Sequence, residues 1–337
     1  MVKCSKCSRD SVYINRLSGK AFCRIHFIEY FERKVKKNIR KYNLLKPGDK
    51  VVVAVSGGKD SLSLLHILNK INSRAGLWKL SALLIDEGIA GYREYTINDF
   101  LNYVTTYGIQ YRIIRFKEVF GYTLDEMVEI SRRKGLDYQP CSLCGVFRRY
   151  LLNKVSREMG ASVLATAHNL DDTIQTFLIN VIKNSWEKIA RQGPISGIID
   201  HPLFVKRVKP LINIMDRETT IYALVNGLIK PVFHQCPYII HNVRFYVRRY
   251  INEIEEKYPG TKYMMLKSML KIHNILSKHP EEVREGDLKK CIVCGEPSAH
   301  DICKACEYRF ELGIMSEDEN RIVSEYIGVS RKSNYNS

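Results

Sequence analysis

Apolar residues along this chain follow two rhythms, and the switches between them mark out its elements. From about residue 49 to 235, short runs rich in β-branched residues alternate with longer stretches whose apolar positions repeat at helical spacing. The runs Lys50–Val55, Lys79–Ile85, Tyr111–Phe116 and Ser162–Thr166 predict strands, with a fifth over Leu228–Phe233. Stretches near 60–73, 94–107, 123–134, 142–159, 171–186 and 216–227 predict helices between them. Such alternation predicts an α/β fold, a parallel sheet covered by helices on both faces. Ahead of it, Phe27, Ile28, Phe31, Val35 and Ile39 predict a helix over 28–45 with one face packed and one face basic. Residues 240–279 also read as helical, and the polar tail Arg331–Ser337 reads as a frayed end.

The sharpest switch lies in Val51–Leu62, VVVAVSGGKDSL. The apolar run stops at Ser56-Gly57-Gly58-Lys59-Asp60-Ser61, and helical spacing resumes at Leu62, Leu64, Leu65, Ile67 and Leu68. A strand, a glycine turn and a helix start together aim free N–H groups and a positive helix end at an anion. Two glycines let the backbone approach a phosphate, and Ser56, Ser61 and Lys59 add donors. The Walker P-loop needs Ser or Thr directly after its lysine for magnesium, so Asp60 excludes that reading. SGGKDS is similar instead to the pyrophosphate loop of enzymes that adenylate a substrate from ATP. The plain alternative is a tight turn without ligand. In parallel sheets ligands bind at the carboxyl ends of strands, which is where this segment falls.

Composition narrows the setting. With 337 residues the chain is long enough for two or three compact units, and its hydrophobic content of 45% is globular. No apolar run reaches membrane-span length, and the opening MVKCSKCSRD lacks a signal-peptide core, so a cytoplasmic location is expected. The net charge of +17 is concentrated: residues 1–50 carry fourteen Lys and Arg against four Asp and Glu, and residues 201–250 carry eight against two. Two basic segments, one of them the run Arg33–Tyr42 with Lys34, Lys36 and Lys37, point to a polyanionic partner such as RNA.

Ten cysteines in a chain of this setting point to metals or catalysis rather than disulfides. Cys4, Cys7, Cys23 and His26 have the spacing of a tetrahedral zinc knuckle, and so do Cys291, Cys294, Cys303 and Cys306. Cys141, Cys144 and Cys236 remain. They read either as a redox pair with a bystander, or as three thiolates that hold three irons of a [4Fe–4S] cluster and leave the fourth open.

Taken in order, these segments resemble the tRNA 2-thiouridine synthetases of the PP-loop ATPase superfamily, from Cys4 to Cys306. The resemblance rests on the N-terminal finger, SGGKDS, and Ile85-Asp86-Glu87-Gly88-Ile89-Ala90-Gly91-Tyr92-Arg93. It continues through Cys141–Cys144 with Arg148 and Arg149, through Ala165-Thr166-Ala167-His168-Asn169-Leu170-Asp171-Asp172, and to Cys236 and the second finger. One departure is Ala167, where a glycine is expected beside the nucleotide.

The resemblance implies a Rossmann-like adenylating domain over 49–240, flanked by zinc fingers at 1–30 and 286–312, with a basic linker helix at 31–48, a helical segment at 241–285 and a tail at 313–337. It implies that ATP sits on Ala54, Val55, Ser56, Gly57, Gly58, Lys59, Asp60, Ser61, Ile85, Arg148 and Ala167. Uridine C2 oxygen would be adenylated, pyrophosphate released, and AMP displaced by sulfur to give 2-thiouridine, with position 54 favoured over the wobble position 34. Asp60 or Asp171 would position Mg2+, and Asp171 would act as base. Cys141, Cys144 and Cys236 would carry a [4Fe–4S] cluster, and the fingers two Zn2+. His168 reads as a cap on the following helix. A ubiquitin-like sulfur carrier or free sulfide would donate sulfur to a homodimeric enzyme. Three rivals differ in class: an amidotransferase-like or tRNA-lysidine synthetase, a non-enzymatic zinc-finger RNA-binding protein, and a purely redox iron–sulfur protein.

Overall fold

The computed structural model describes residues 2–196, 201–230, 235–239, 243–279 and 288–333. A small hairpin, β1 (Tyr13–Ile14) and β2 (Ala21–Phe22), leads into the long helix α1 (Arg24–Lys41). The core then alternates as expected: β3 (Lys50–Ala54), α2 (Lys59–Ala75), β4 (Lys79–Asp86), α3 (Arg93–Thr106), β5 (Gln110–Arg115), α4 (Phe116–Phe120), α5 (Leu124–Arg133), α6 (Pro140–Glu158), β6 (Val163–Thr166) and α7 (Leu170–Ile182). After these come α8 (Trp186–Ala190), β7 (Ile195–Ser196), β8 (Lys206–Val208), α9 (Asp216–Val225), α10 (Val243–Lys257) and α11 (Thr261–Leu276).

The central sheet runs β5-β4-β3-β6-β8-β7, parallel throughout except for β7 against β8. Val53 lies between Ala82 and Ala165, so β3 is central. Val51, Val53 and Val55 face one apolar cluster, with Phe27, Phe31, Leu64 and Tyr222, while Val52 faces another, with Leu83, Phe147 and Leu151. This is the side alternation of a strand covered on both faces. Because the strands are parallel, one edge of the sheet carries Ser56, Glu87, Ala167 and Lys209 together. A third cluster joins Leu170 and Ile174 of α7 to Ile251, Leu266 and Met269 of α10 and α11.

Three expectations change. The further parallel strand is β8, not Leu228–Phe233: residues 228–230 form a bend, and 231–233 lie outside the described residues. The helix foreseen over 171–186 stops at Ile182 and is followed by the separate turn α8. The tail is helical over Glu317–Ser333, while 334–337 lie outside the described residues.

Both cysteine clusters are docked on the core. Tyr13 and Tyr30 donate hydrogen bonds to the buried Glu218 of α9, and Lys34 pairs with the same carboxylate at 2.7 Å. Lys34 therefore anchors the N-terminal cluster, whereas Arg33, Lys36, Lys37, Arg40 and Lys41 line an open basic groove. Cys291, Cys303 and Cys306 belong to the same apolar cluster as Phe147 and Leu164. Arg157 and Asn153 of α6 hold Glu296 between the last two pairs of cysteines.

Candidate active site

The turn after β3 is held open by geometry local to it. Gly57 has φ +80, and a Cβ there would stand 1.9 Å from the Thr96 carbonyl oxygen, so only glycine fits. Ser61 Oγ accepts from Ser56 N at 3.1 Å and bridges to Ser56 Oγ at 3.2 Å. Gly58 begins α2 without a side-chain cap, and Asp60 lies in its first turn. Among the described residues, the N–H groups of Gly57, Lys59, Asp60 and Ser61 donate to no backbone carbonyl. Four free amides at a helix start form an anion cradle.

Around that cradle the charges are paired. Lys59 bridges Asp60 at 2.8 Å and Asp216 at 2.6 Å. Burial alone would lower its pKa, but the two carboxylates outweigh burial and raise it. Asn169 Nδ2 donates to both carboxylates, at 3.2 Å to Asp60 and 3.3 Å to Asp216, and Thr219 donates to Asp60. This set of hard oxygens fits a divalent cation shared with phosphate oxygens. Ala167 packs its methyl against the apolar core beside the loop. Ile85 contributes its carbonyl, which accepts from Arg93 at 2.5 Å.

Asp171 does not join this group. Its carboxylate accepts from the buried ammonium of Lys262 and from Asp216 N at 2.8 Å, an anchor between α7, α9 and α11. One residue on, about 100° around the helix, Asp172 faces the cleft instead. Burial and the Asp60 charge push its carboxyl up to about 6. Asn169 is the N-cap of α7, its Oδ1 accepting from Asp172 N at 2.9 Å, so the capping expected of His168 falls to Asn169. His168 instead accepts or donates at Thr166 Oγ1, 3.0 Å away.

The three remaining cysteines form the other end of the cleft. Pro140 opens α6, which places Cys141 in its first turn and Cys144 one turn later on the same side. Residues 235–239 bring Cys236 against them, with Cys141 Sγ 3.7 Å from the Tyr238 carbonyl. Burial pushes the Cys144 thiol up to about 11, against the pull of Arg148. Arg148 donates to Cys144 Sγ at 2.9 Å and pairs through Nε with Glu87 at 2.6 Å. Glu87 in turn pairs with Arg93 at 2.9 Å, and Arg93 donates to the Ser56 carbonyl at 2.8 Å. A continuous line of charges thus runs from the loop to the thiols. A donor set of three thiols fits an iron–sulfur cluster bonded at three irons.

In each terminal cluster, one ligand atom from every residue lies within 4.8 Å of the others: Cys4, Cys7, Cys23 and His26, and Cys291, Cys294, Cys303 and Cys306. Four such ligands fit a closed tetrahedral metal site. The sequence pattern missed a group of cations between the two ends of the cleft. Lys209 is buried, Arg207 is half-buried with its Nε enclosed, and Arg149 and His168 beside them keep exposed surface. Burial and the charges of Lys209, Arg207, Arg244 and Arg148 hold the His168 imidazole neutral, with a pKa of about 3.

A glycine loop with free amides at the carboxyl edge of a parallel sheet is the arrangement of a nucleotide-binding α/β protein, and residues 28–227 match the PP-loop domain family. The tRNA-5-methyluridine(54) 2-sulfurtransferase of Pyrococcus horikoshii is 36% identical over 307 residues, covering 91% of this chain and 93% of its own. The cytoplasmic tRNA 2-thiolation protein 1 of Anopheles gambiae is 30% identical over 98% of this chain and 91% of its own. Among solved structures, the U34-tRNA thiolase NcsA of Methanococcus maripaludis with its [4Fe–4S] cluster matches with a TM-score of 0.78. Identity there is 36%, over 94% of this chain and 98% of that one. The chain belongs to the PP-loop family, within the group of tRNA 2-sulfurtransferases and 2-thiolation proteins.

Proposed function

We propose that this protein is an ATP-dependent tRNA sulfurtransferase that converts a uridine to 2-thiouridine. The observation that carries the reading is the line Ser56–Arg93–Glu87–Arg148–Cys144, which joins a phosphate cradle to three thiols in one cleft. The uridine C2 oxygen attacks the α-phosphorus of ATP, the bond to the β-phosphate breaks, and pyrophosphate leaves. Hydrosulfide then adds at C2 and AMP departs with the original oxygen, so no net electrons change hands. The loop amides and Lys59 meet charge that develops on the phosphates. Asp60 would share Mg2+ with them, and Asp172 would take a proton.

A [4Fe–4S] cluster on Cys141, Cys144 and Cys236 would supply an open iron for the incoming sulfide. Zinc would close the terminal clusters. The groove of Arg33, Lys36, Lys37, Arg40 and Lys41 suits the RNA backbone. A thiocarboxylated ubiquitin-like carrier or free sulfide would donate the sulfur, in a cytoplasmic homodimer. No helix among the described residues is long and apolar enough to cross a membrane. Position 54 is the uridine favoured by the two-finger layout and the Pyrococcus relative. Position 34 is favoured by the Methanococcus structure at equal identity.

Two variants separate the steps. Cys236→Ala should lose the brown absorbance of anaerobically reconstituted protein and all thiolation, while keeping ATP binding. Asp60→Ala should keep the absorbance and lose tRNA-dependent pyrophosphate release. Mass spectrometry of nucleosides from mapped tRNA fragments assigns the position. Full thiolation by rigorously iron-free protein would overturn the cluster, and tRNA-independent pyrophosphate release at the same rate would overturn the substrate.

A further inference from the structure

Arg207 and Lys209 stand side by side on β8 and just past its carboxyl end, at the same sheet edge as SGGKDS. Lys209 is only 9% exposed. Among the described residues neither side chain has an ion pair or hydrogen bond, and the buried Arg207 Nε has no acceptor. Arg149 reaches the same region from α6. Its guanidinium folds over Gly145, where a Cβ would lie 3.2 Å from it, and it too lacks a partner among the described residues.

These cations repel one another. Burial and Arg149 lower the Arg207 pKa to about 10, and burial and Arg207 lower that of Lys209 to about 8. The Asp172 carboxylate opposes the effect on Lys209. Holding the buried Lys209 beside the half-buried Arg207, with no ion pair to either among the described residues, is costly, and the strand pairing does not require it: β8, between β6 and β7, would pair equally well with apolar residues. The contrast with Lys59, which has two carboxylate partners at the loop, is direct.

We propose that Arg207 and Lys209, with Arg149, form a second phosphate-binding site, which takes one phosphate ester between the nucleotide loop and the thiols. The ester belongs either to the nucleotide, as the α-phosphate carried on to AMP, or to the RNA chain, as the phosphate beside the target uridine. The inference rests on the thiolase reading. Guanidinium and ammonium together suit a phosphate monoanion, with Arg207 as the fork and Lys209 as a point charge.

The test uses full-length, metal-loaded protein carrying Arg207→Gln or Lys209→Met, with Arg207→Lys and Lys209→Arg as charge-keeping controls. Calorimetry measures binding of an α,β-methylene ATP analogue, and filter binding measures an unmodified tRNA transcript across a salt series. A tenfold or greater loss for the analogue alone assigns the nucleotide. A similar loss for tRNA alone, with a salt slope shallower by about 0.7–0.9 per lost contact, assigns the RNA phosphate. Restoration by the charge-keeping variants supports either assignment. Losses that those variants do not restore mark a structural role and overturn the site. So does binding of both ligands within twofold of wild type by both neutral variants. Wild-type protein that binds neither ligand overturns the thiolase reading, and this site with it.

Discussion

The two ends of the cleft are built on opposite electrostatic plans. At the loop, Lys59 has Asp60 and Asp216, Asp60 has Asn169 and Thr219, and Ser61 ties the backbone of Ser56. At the far end, Arg149, Arg207 and Lys209 have no ion pair among the described residues, beside thiols of which one is buried. The loop end is pre-formed, its lysine already matched by carboxylates in the free protein, so it needs little rearrangement to receive a nucleotide. The thiol end carries an excess of positive charge among the described residues, which suits the arrival of an anion. The difference suits an order of events in which ATP occupies a ready site and the polyanionic RNA completes the second.

The largest effect should come from breaking the pre-formed end alone. Gly57→Ala places a Cβ against the Thr96 carbonyl and strains a positive φ, so the loop must move. Pyrophosphate release should fall about 1000-fold, equivalent to roughly 4 kcal/mol, while iron content of reconstituted protein stays at wild-type level. If the alanine variant keeps its activity, the loop conformation is not what positions the phosphates.

Much of this contrast was legible in the residues, and the parts that were not have physical reasons. SGGKDS as a strand-to-helix turn, and the gathering of each terminal cysteine cluster, were legible as patterns because their spacing is local and their backbone demands are specific. The strand β8 did not, since Lys206–Val208 is short and charged, and its extended form comes from pairing with β6, more than forty residues away. That is why Arg207 and Lys209 stayed invisible as a site. Asp171 and Asp172 cannot be told apart by pattern, because a single residue of helical phase decides which one meets Asp60 and which one meets Lys262. Lys34 was legible after all: it lies seven residues after Phe27 and three after Phe31, on their side of α1, and so belongs to the packed face. Reading the run Arg33–Tyr42 as one basic surface overlooked that phase.

A smaller effect should follow from cutting the connection between the ends. Glu87 is 2% exposed and holds both Arg93 and Arg148. Glu87→Gln keeps its shape and removes its charge. The loss of stability should be about 2 kcal/mol, below the roughly 3–5 kcal/mol typical of a fully buried pair, because Arg148 keeps water on one side. Chemical denaturation measures that loss. A sharper readout is the ratio of activities: the variant should release pyrophosphate at a rate closer to wild type than its rate of thiolation. Equal losses in both steps would mean that Glu87 supports the fold without linking loop and thiols.

The smallest and most specific effect concerns the carboxylate that lies between the two plans. Burial, and then the charge of Asp60, raise the Asp172 carboxyl from 3.8 to about 6. As a proton acceptor it works only when ionised, so activity should climb about tenfold per pH unit up to about pH 6 and level off above it. The stability sign is the reverse. The folded carboxyl binds its proton more tightly than the unfolded one, so this residue's contribution to stability is greatest in acid and declines as pH rises from 3.8 through 6. Asp172→Asn should therefore remove the acidic limb of the rate profile and leave the protein slightly more stable at neutral pH. Asp171→Asn should leave that limb in place, since its carboxylate is committed to Lys262. Rate profiles of the two variants, measured by pyrophosphate release between pH 5 and 8, decide between the neighbours, and a limb that survives in Asp172→Asn but vanishes in Asp171→Asn would return the role to Asp171.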